Sequence, residues 1–151
     1  MGSIPGRIRT FFRLPWRDKA AWAESLILFW AFRVALRAVP FRRFKRLLGP
    51  PGEKFSLPGE PPQRPLDPQA ARVARWLRRI EKRHPDTCLA QALVARVMLR
   101  RRGLPSTVSF GVRQQEGGEY QFHAWVTHDE RVLTGGGALR TYSVISTHHD
   151  R

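Results

Sequence analysis

The sequence predicts an α+β fold in which helices pack against a small antiparallel sheet, preceded by a helical N-terminal extension. Capped, amphipathic helical segments come first along the chain, and alternating strand-like segments joined by turns follow from residue 106 onward. The length of 151 residues suffices for one domain with a substantial hydrophobic core.

Residues 1–48 form a basic, apolar extension that Pro15 and Pro40 divide into two or three helices. Its longest apolar run, Ser25–Phe32, is too short to span a bilayer, and charged residues interrupt the sequence on both sides. We therefore expect a buried or interfacial amphipathic helix rather than a transmembrane helix or a signal peptide. Its basic flanks suit a membrane surface and a partner protein equally well.

A segment rich in proline and glycine, residues 49–68, follows this extension. Such a composition predicts a linker or an extended strap over a surface rather than packed secondary structure. The remaining residues, 69–151, contain the predicted helices and strands of the core.

Two helices begin this core. Gln69–Lys82 is amphipathic, with apolar residues on one face and arginines on the other. Pro85 separates it from a second helix, Cys88–Arg102, which Asp86 or Thr87 can cap. Three strands are then predicted at Ser106–Arg113, Tyr120–Thr127 and Arg131–Thr134.

Cys88, the only cysteine, falls in the first turn of the second core helix, and His123 lies on the second strand. The positive end of a helix favours a thiolate, and its unpaired N–H groups can receive an oxyanion. Several cysteine hydrolases and acyl transferases provide their nucleophile and base from such a pair. We therefore predict that Cys88 is the nucleophile and His123 its base. Trp125 points to the same face as His123 and is expected to shield the site.

The composition limits the other classes of site. One cysteine excludes an internal disulfide and fits a reducing compartment, so we expect a cytoplasmic protein that can associate with a membrane surface. The five histidines show no zinc-binding spacing, and we expect neither a metal nor another cofactor. The net charge of +15 suggests an acidic partner, although an arginine-rich surface without such a partner explains it as well.

The order of helices and strands resembles the core of papain-like and transglutaminase-like proteins, and four motifs make the resemblance narrower. They are CLAQAL at 88–93, LRRRGLP at 99–105, FGV at 110–112 and HAWV at 123–126. At these spacings they resemble the lasso-peptide leader peptidase family, the transglutaminase-like B proteins of lasso-peptide gene clusters. The likeness runs from about residue 70 to 135, and the N-terminal half is similar to the family's stand-alone form.

This resemblance implies a cysteine peptidase that removes the leader from a ribosomally made precursor, with Cys88 and His123 at the family's catalytic positions. It implies three partners: the precursor leader, a separate small leader-recognition protein and an ATP-dependent lasso cyclase. A separate recognition protein is expected because apolar helices account for the first half of the chain. Nucleic acid is not expected as a partner.

One position departs from the family pattern. The aspartate that usually orients the histidine is replaced here by Gly135. A two-residue turn at 129–130 would place Trp125 opposite Thr134 and His123 opposite Gly136, so no carboxylate is expected beside the imidazole. Four groups remain as candidates to orient the ring: Thr134, a backbone carbonyl, a water molecule and Asp150.

Other interpretations stay open at this point. A protein of the same fold without catalytic activity could present the precursor to the cyclase. A basic module could bind membrane or nucleic acid through residues 1–50. A transamidase, in which an amine replaces water in the second step, also agrees with the sequence. Gln91, one turn beyond Cys88, is expected to face either the site or solvent.

Overall fold

Four helices and four strands make up the part of the chain described by a computed structural model, residues 13–52, 62–137 and 139–149. The helices are α1 Trp16–Ala38, α2 Lys45–Leu48, α3 Pro68–Arg83 and α4 Cys88–Arg100. The strands are β1 Thr107–Gln114, β2 Tyr120–His128, β3 Arg131–Thr134 and β4 Ser143–His149. Short 3₁₀ helices lie at Phe41–Phe44 and Leu139–Thr141. The α+β class with a helical N-terminal part is confirmed.

Helix α4 lies at the centre of the fold. It packs against α1 and α3 on one side and against the sheet, mainly β2, on the other. Because both sides are covered, its residues from Ala90 to Arg96 are all buried, together with Met98 and Leu99. Helix α3 has only one covered face and buries the apolar residues of that face: Ala70, Val73, Ala74, Trp76, Leu77 and Ile80.

The sheet is antiparallel, with the strand order β3-β2-β1-β4. Strand β4 was not among the strands predicted from the sequence. Along its outer edge, the Gly52 N–H donates to the Thr147 carbonyl at 2.9 Å, and Pro51 forms a bridge with His148. The beginning of the proline-rich segment therefore follows the sheet edge; residues 53–61 of that segment lie outside the described residues.

The hairpin between β2 and β3 follows the predicted turn but not the predicted register. His128 pairs with Arg131, and both residues of the turn, 129 and 130, have positive φ angles. A register shift then makes Val126, rather than Trp125, the partner of Thr134. Since β3 ends at Thr134, the expected pairing of His123 with residue 136 is wrong.

A buried arginine links α4 to the first half of the chain. Arg96 is 1 % exposed, and its guanidinium donates to the carbonyls of Leu47 at 3.3 Å, Leu48 at 2.6 Å and Ser106. Two of these carbonyls lie at the end of α2, where the helix dipole is negative. The positive charge is therefore compensated inside the protein, and α2 is held against α4.

No helix among the described residues has the length and apolar character needed to cross a membrane.

Candidate active site

The site forms where α4 begins. Cys88 is the first residue of α4 and is half-buried. Thr87 occupies the N-cap position, but no side chain caps the helix, and the Thr87 hydroxyl donates instead to the His84 carbonyl at 2.7 Å. The predicted capping by Asp86 or Thr87 is therefore wrong. The N–H groups of the first turn keep no side-chain acceptor and can interact with an anion.

Gln91 fixes the turn that precedes Cys88. Its amide nitrogen donates to the His84 carbonyl at 2.9 Å and to the Thr87 hydroxyl at 3.0 Å, while its oxygen accepts from Thr134 at 3.3 Å. The side chain is 1 % exposed, so the interpretation that placed it in solvent is wrong. Thr134, a candidate to orient the imidazole, bonds to Gln91 instead. Two hydrogen bonds of Gln91 thus hold the turn before α4, and the third links α4 to the end of β3.

His123 stands on β2, opposite Gly111 of β1. Its ring stacks on Tyr142, with centroids 5.1 Å apart, and on Trp125 at 6.3 Å. A Cβ atom at Gly111 would lie about 3.0 Å from both the Trp125 and Tyr142 side chains. Glycine at this position therefore leaves room for the aromatic layer that covers one side of the imidazole, and Trp125 shields His123 as expected.

A backbone carbonyl orients the imidazole. Nε2 of His123 lies 2.8 Å from the oxygen of Gly135. A carbonyl can only accept, so Nε2 carries the proton and Nδ1 is left to interact with Cys88. Gly135 has a φ of +76°, and a Cβ there would lie 2.5 Å from the Ala124 carbonyl oxygen. The residue that replaces the expected aspartate thus supplies its own carbonyl, in a conformation that suits only glycine.

The backbone carbonyl was one of the four candidates from the sequence. Asp150, another of them, lies outside the described residues.

The thiol of Cys88 and the imidazole of His123 interact, and each shifts the pKa of the other. Burial raises the pKa of the Cys88 thiol, but the His123 hydrogen bond and charge, with the backbone N–H groups of Ala124 and Leu89, hold it below its ordinary value of 9.0. The Cys88 hydrogen bond raises the pKa of His123, burial lowers it, and the Gly135 carbonyl helps to bring it above 6.5. Both shifts favour a thiolate–imidazolium pair.

The short length of β3 is part of this electrostatic arrangement. The backbone carbonyl of Ala124 points toward Gly135, on the edge of β2 that pairs with β3. Strand β3 ends at Thr134, the partner of Val126, and so does not pair with Ala124. The Ala124 N–H is consequently available to the sulfur of Cys88. The thiolate formed in this way can attack a carbonyl carbon, and the imidazolium beside it can then protonate the leaving group.

A thiol at a helix start beside a histidine on an antiparallel strand is the arrangement expected of transglutaminase-like proteins. Residues 30–147 match the family model described as the transglutaminase-like superfamily. The match covers most of the chain, from within α1 to β4, and the chain belongs to this superfamily, which includes cysteine peptidases. No curated protein and no solved structure matches the chain significantly. The coarse resemblance is confirmed, while the narrower likeness to lasso-peptide leader peptidases stays a prediction.

Proposed function

We propose that this protein is a cysteine peptidase that removes the leader from a lasso-peptide precursor. The observation that carries the proposal is the interaction between Cys88 and His123, which lowers the thiol pKa and raises the imidazole pKa. A buried cysteine with only a structural role stays a neutral thiol, because burial alone raises its pKa. The lowered pKa of Cys88 is instead typical of a nucleophile. The four sequence motifs around this pair support the substrate class.

The reaction would proceed through a thioester. The Cys88 thiolate attacks the last carbonyl of the leader, and N–H groups at the start of α4 stabilise the oxyanion. The imidazolium of His123 then gives its proton to the departing core amine as the carbon–nitrogen bond breaks. The neutral imidazole next takes a proton from water, whose oxygen attacks the thioester and releases the leader as a carboxylic acid, regenerating the thiolate–imidazolium pair.

The carbonyl of Gly135 has the role that a carboxylate has in a triad. It fixes the tautomer and the orientation of the ring through the 2.8 Å contact with Nε2. A neutral carbonyl stabilises the imidazolium less than a carboxylate does, so we expect a slower peptidase rather than an inactive one. The stacked ring of Tyr142 limits rotation of the imidazole in addition.

The proposal includes the partners that its substrate requires. A separate leader-recognition protein would present the precursor, and an ATP-dependent cyclase would use the core amine that cleavage releases. The test is incubation of the purified chain with a precursor, with and without the recognition protein, followed by mass spectrometry. Leader and core should appear with the wild type and with Gly137→Ala, a matched control whose added Cβ meets nothing within 4 Å.

Cleavage should be absent with Cys88→Ala. Persistent cleavage by that variant would refute the mechanism. A leader that ends in an added amine, rather than in a carboxylic acid, would identify a transamidase instead. An unprocessed precursor that nevertheless binds the protein would favour the scaffold interpretation.

A further inference from the structure

Helix α1 exposes an apolar face along its whole length. Trp16 is 72 % exposed, Ile27 69 %, Trp30 52 % and Val34 65 %. Two exposed alanines lie on the same face, Ala20 between Trp16 and Ile27 and Ala38 one turn beyond Val34. We call this face the outer stripe; it comprises Trp16, Ala20, Ile27, Trp30, Val34 and Ala38. A continuous apolar surface of this kind marks an interaction site in a water-exposed protein.

The acidic residues of α1 point the other way. Asp18 is 6 % exposed and pairs with Arg72 of α3, with 2.9 Å between Nε and the carboxylate oxygen. Glu24 pairs with Arg101 at 3.0 Å and Arg102 at 2.6 Å, both just beyond the end of α4. The negative charges of this helix are therefore neutralised against the body of the protein.

Cations border the outer stripe. Arg17 and Arg37 are exposed on α1, and the Arg33 guanidinium lies 5.1 Å from the centroid of the Trp30 ring. Four exposed cations follow soon after the stripe ends: Arg42, Arg43, Lys45 and Arg46. Toward solvent, this surface consequently presents apolar side chains and positive charge without a carboxylate from α1.

We propose that the outer stripe binds the surface of an anionic lipid bilayer, with α1 lying parallel to the membrane plane. Charge complementarity selects this occupant, because anionic headgroups lie directly above the acyl region that would receive the apolar side chains. Tryptophan side chains prefer this interface, since their rings are apolar and their N–H groups can still bond to water or headgroups. The site around Cys88 and His123 would then work at the membrane surface.

The test is flotation of the full chain with vesicles of phosphatidylcholine alone or with about one third phosphatidylserine. We expect binding to the mixed vesicles and little binding to phosphatidylcholine. Ile27→Glu with Val34→Glu should weaken binding about 100-fold, since each change removes one apolar anchor. The matched control is Phe122→Glu with Ile145→Glu, two apolar residues of the sheet that are 67 % and 51 % exposed. It should bind as the wild type does.

A second pair of variants tests how much the basic residues contribute to vesicle binding. Arg37→Gln with Arg42→Gln should weaken binding about 25-fold, since each basic residue near the surface contributes roughly fivefold. Arg78→Gln with Arg140→Gln changes the net charge equally and should have little effect; circular dichroism checks the fold of every variant. Equal binding to both vesicle types, or full binding by the stripe variant, would overturn the proposal. Absence of vesicle binding, with a dimer that the stripe variant dissociates, would overturn it in favour of self-association.

Discussion

Replacement of Gly135 by alanine tests how the imidazole is oriented. The new Cβ would lie 2.5 Å from the Ala124 carbonyl oxygen and 2.9 Å from the Trp125 Cβ, so the loop must move. The backbone would also have to keep a φ of +76°, which costs alanine about 1–2 kcal/mol. With part of the clash relieved by movement, we expect a loss of about 2 kcal/mol in the free energy of unfolding, or about 4–8 °C in Tm.

The movement also removes the carbonyl from Nε2 of His123. A hydrogen bond to a charged group contributes about 1.5–3 kcal/mol, so kcat/KM should fall about 10- to 150-fold. Loss of the same bond lowers the pKa of His123 and weakens the support for the thiolate. The pH at which Cys88 reacts at half its maximal rate should therefore rise.

The assay needs no substrate, because Cys88 is the only cysteine of the chain. Alkylation by iodoacetamide, followed by intact mass between pH 5 and pH 10, reports on this thiol alone. Gly136→Ala is the matched control: its Cβ would lie 3.4 Å from the nearest atom, in Val132, and its φ is not in the left-handed region. An unchanged pH profile in a folded Gly135→Ala protein, or an equal shift in the control, would refute the role of the carbonyl.

Three further predictions concern the same site and its support. In wild type, half-maximal alkylation of Cys88 should occur below pH 9.0, and in His123→Ala at a higher pH than in wild type, because only the Ala124 and Leu89 N–H groups then oppose the effect of burial on the thiol pKa. A profile unaffected by the substitution would contradict the pairing. Gln91→Met should lower the free energy of unfolding by about 1–3 kcal/mol, measured by urea denaturation, and slow the alkylation of Cys88 at neutral pH, since the His84 carbonyl loses one of its two donors and the buried Thr134 hydroxyl loses its acceptor. Normal alkylation would show that Gln91 does not position the thiol. Arg96→Met should lower the free energy of unfolding by about 3–5 kcal/mol in the same experiment, because the buried carbonyls lose their donor, and Arg96→Lys should restore little of this stability. A free energy of unfolding within 1 kcal/mol of wild type would contradict the role of the guanidinium.

The sequence predicted the helices of the core, three of the four strands and the pairing of Cys88 with His123. The helices and strands follow from local rules: helical periodicity, prolines and glycines at the breaks, and β-branched and aromatic residues in the strands. The pairing of Cys88 with His123 was predicted from the placement of the two residues and from the family resemblance. Strand β4 was not predicted because it is rich in serine, threonine and histidine, as in the run Ser146–His149, and because it lies at the sheet edge. Alternation in such a polar strand gives little hydrophobic signal.

Long-range contacts set the remaining features. The register shift at Val126 is not encoded in the turn, and it decides where β3 ends. Glutamine and arginine usually lie on the surface of a helix, yet Gln91 and Arg96 are both buried, because α4 is covered on two sides. The role of Gly135 depends on the position of its backbone, so its residue type could suggest the absence of a carboxylate but not the presence of the carbonyl.

The central claim is that Cys88 forms a thioester with the leader. The most direct measurement is the intact mass of the protein after rapid acid quenching during turnover of a precursor with its recognition protein. We predict a transient adduct on Cys88 with the mass of the free leader less one water, seen with the wild type and missing from Cys88→Ala. Cleavage of the precursor by Cys88→Ala, or cleavage by the wild type in which Cys88 is already alkylated, would contradict the account.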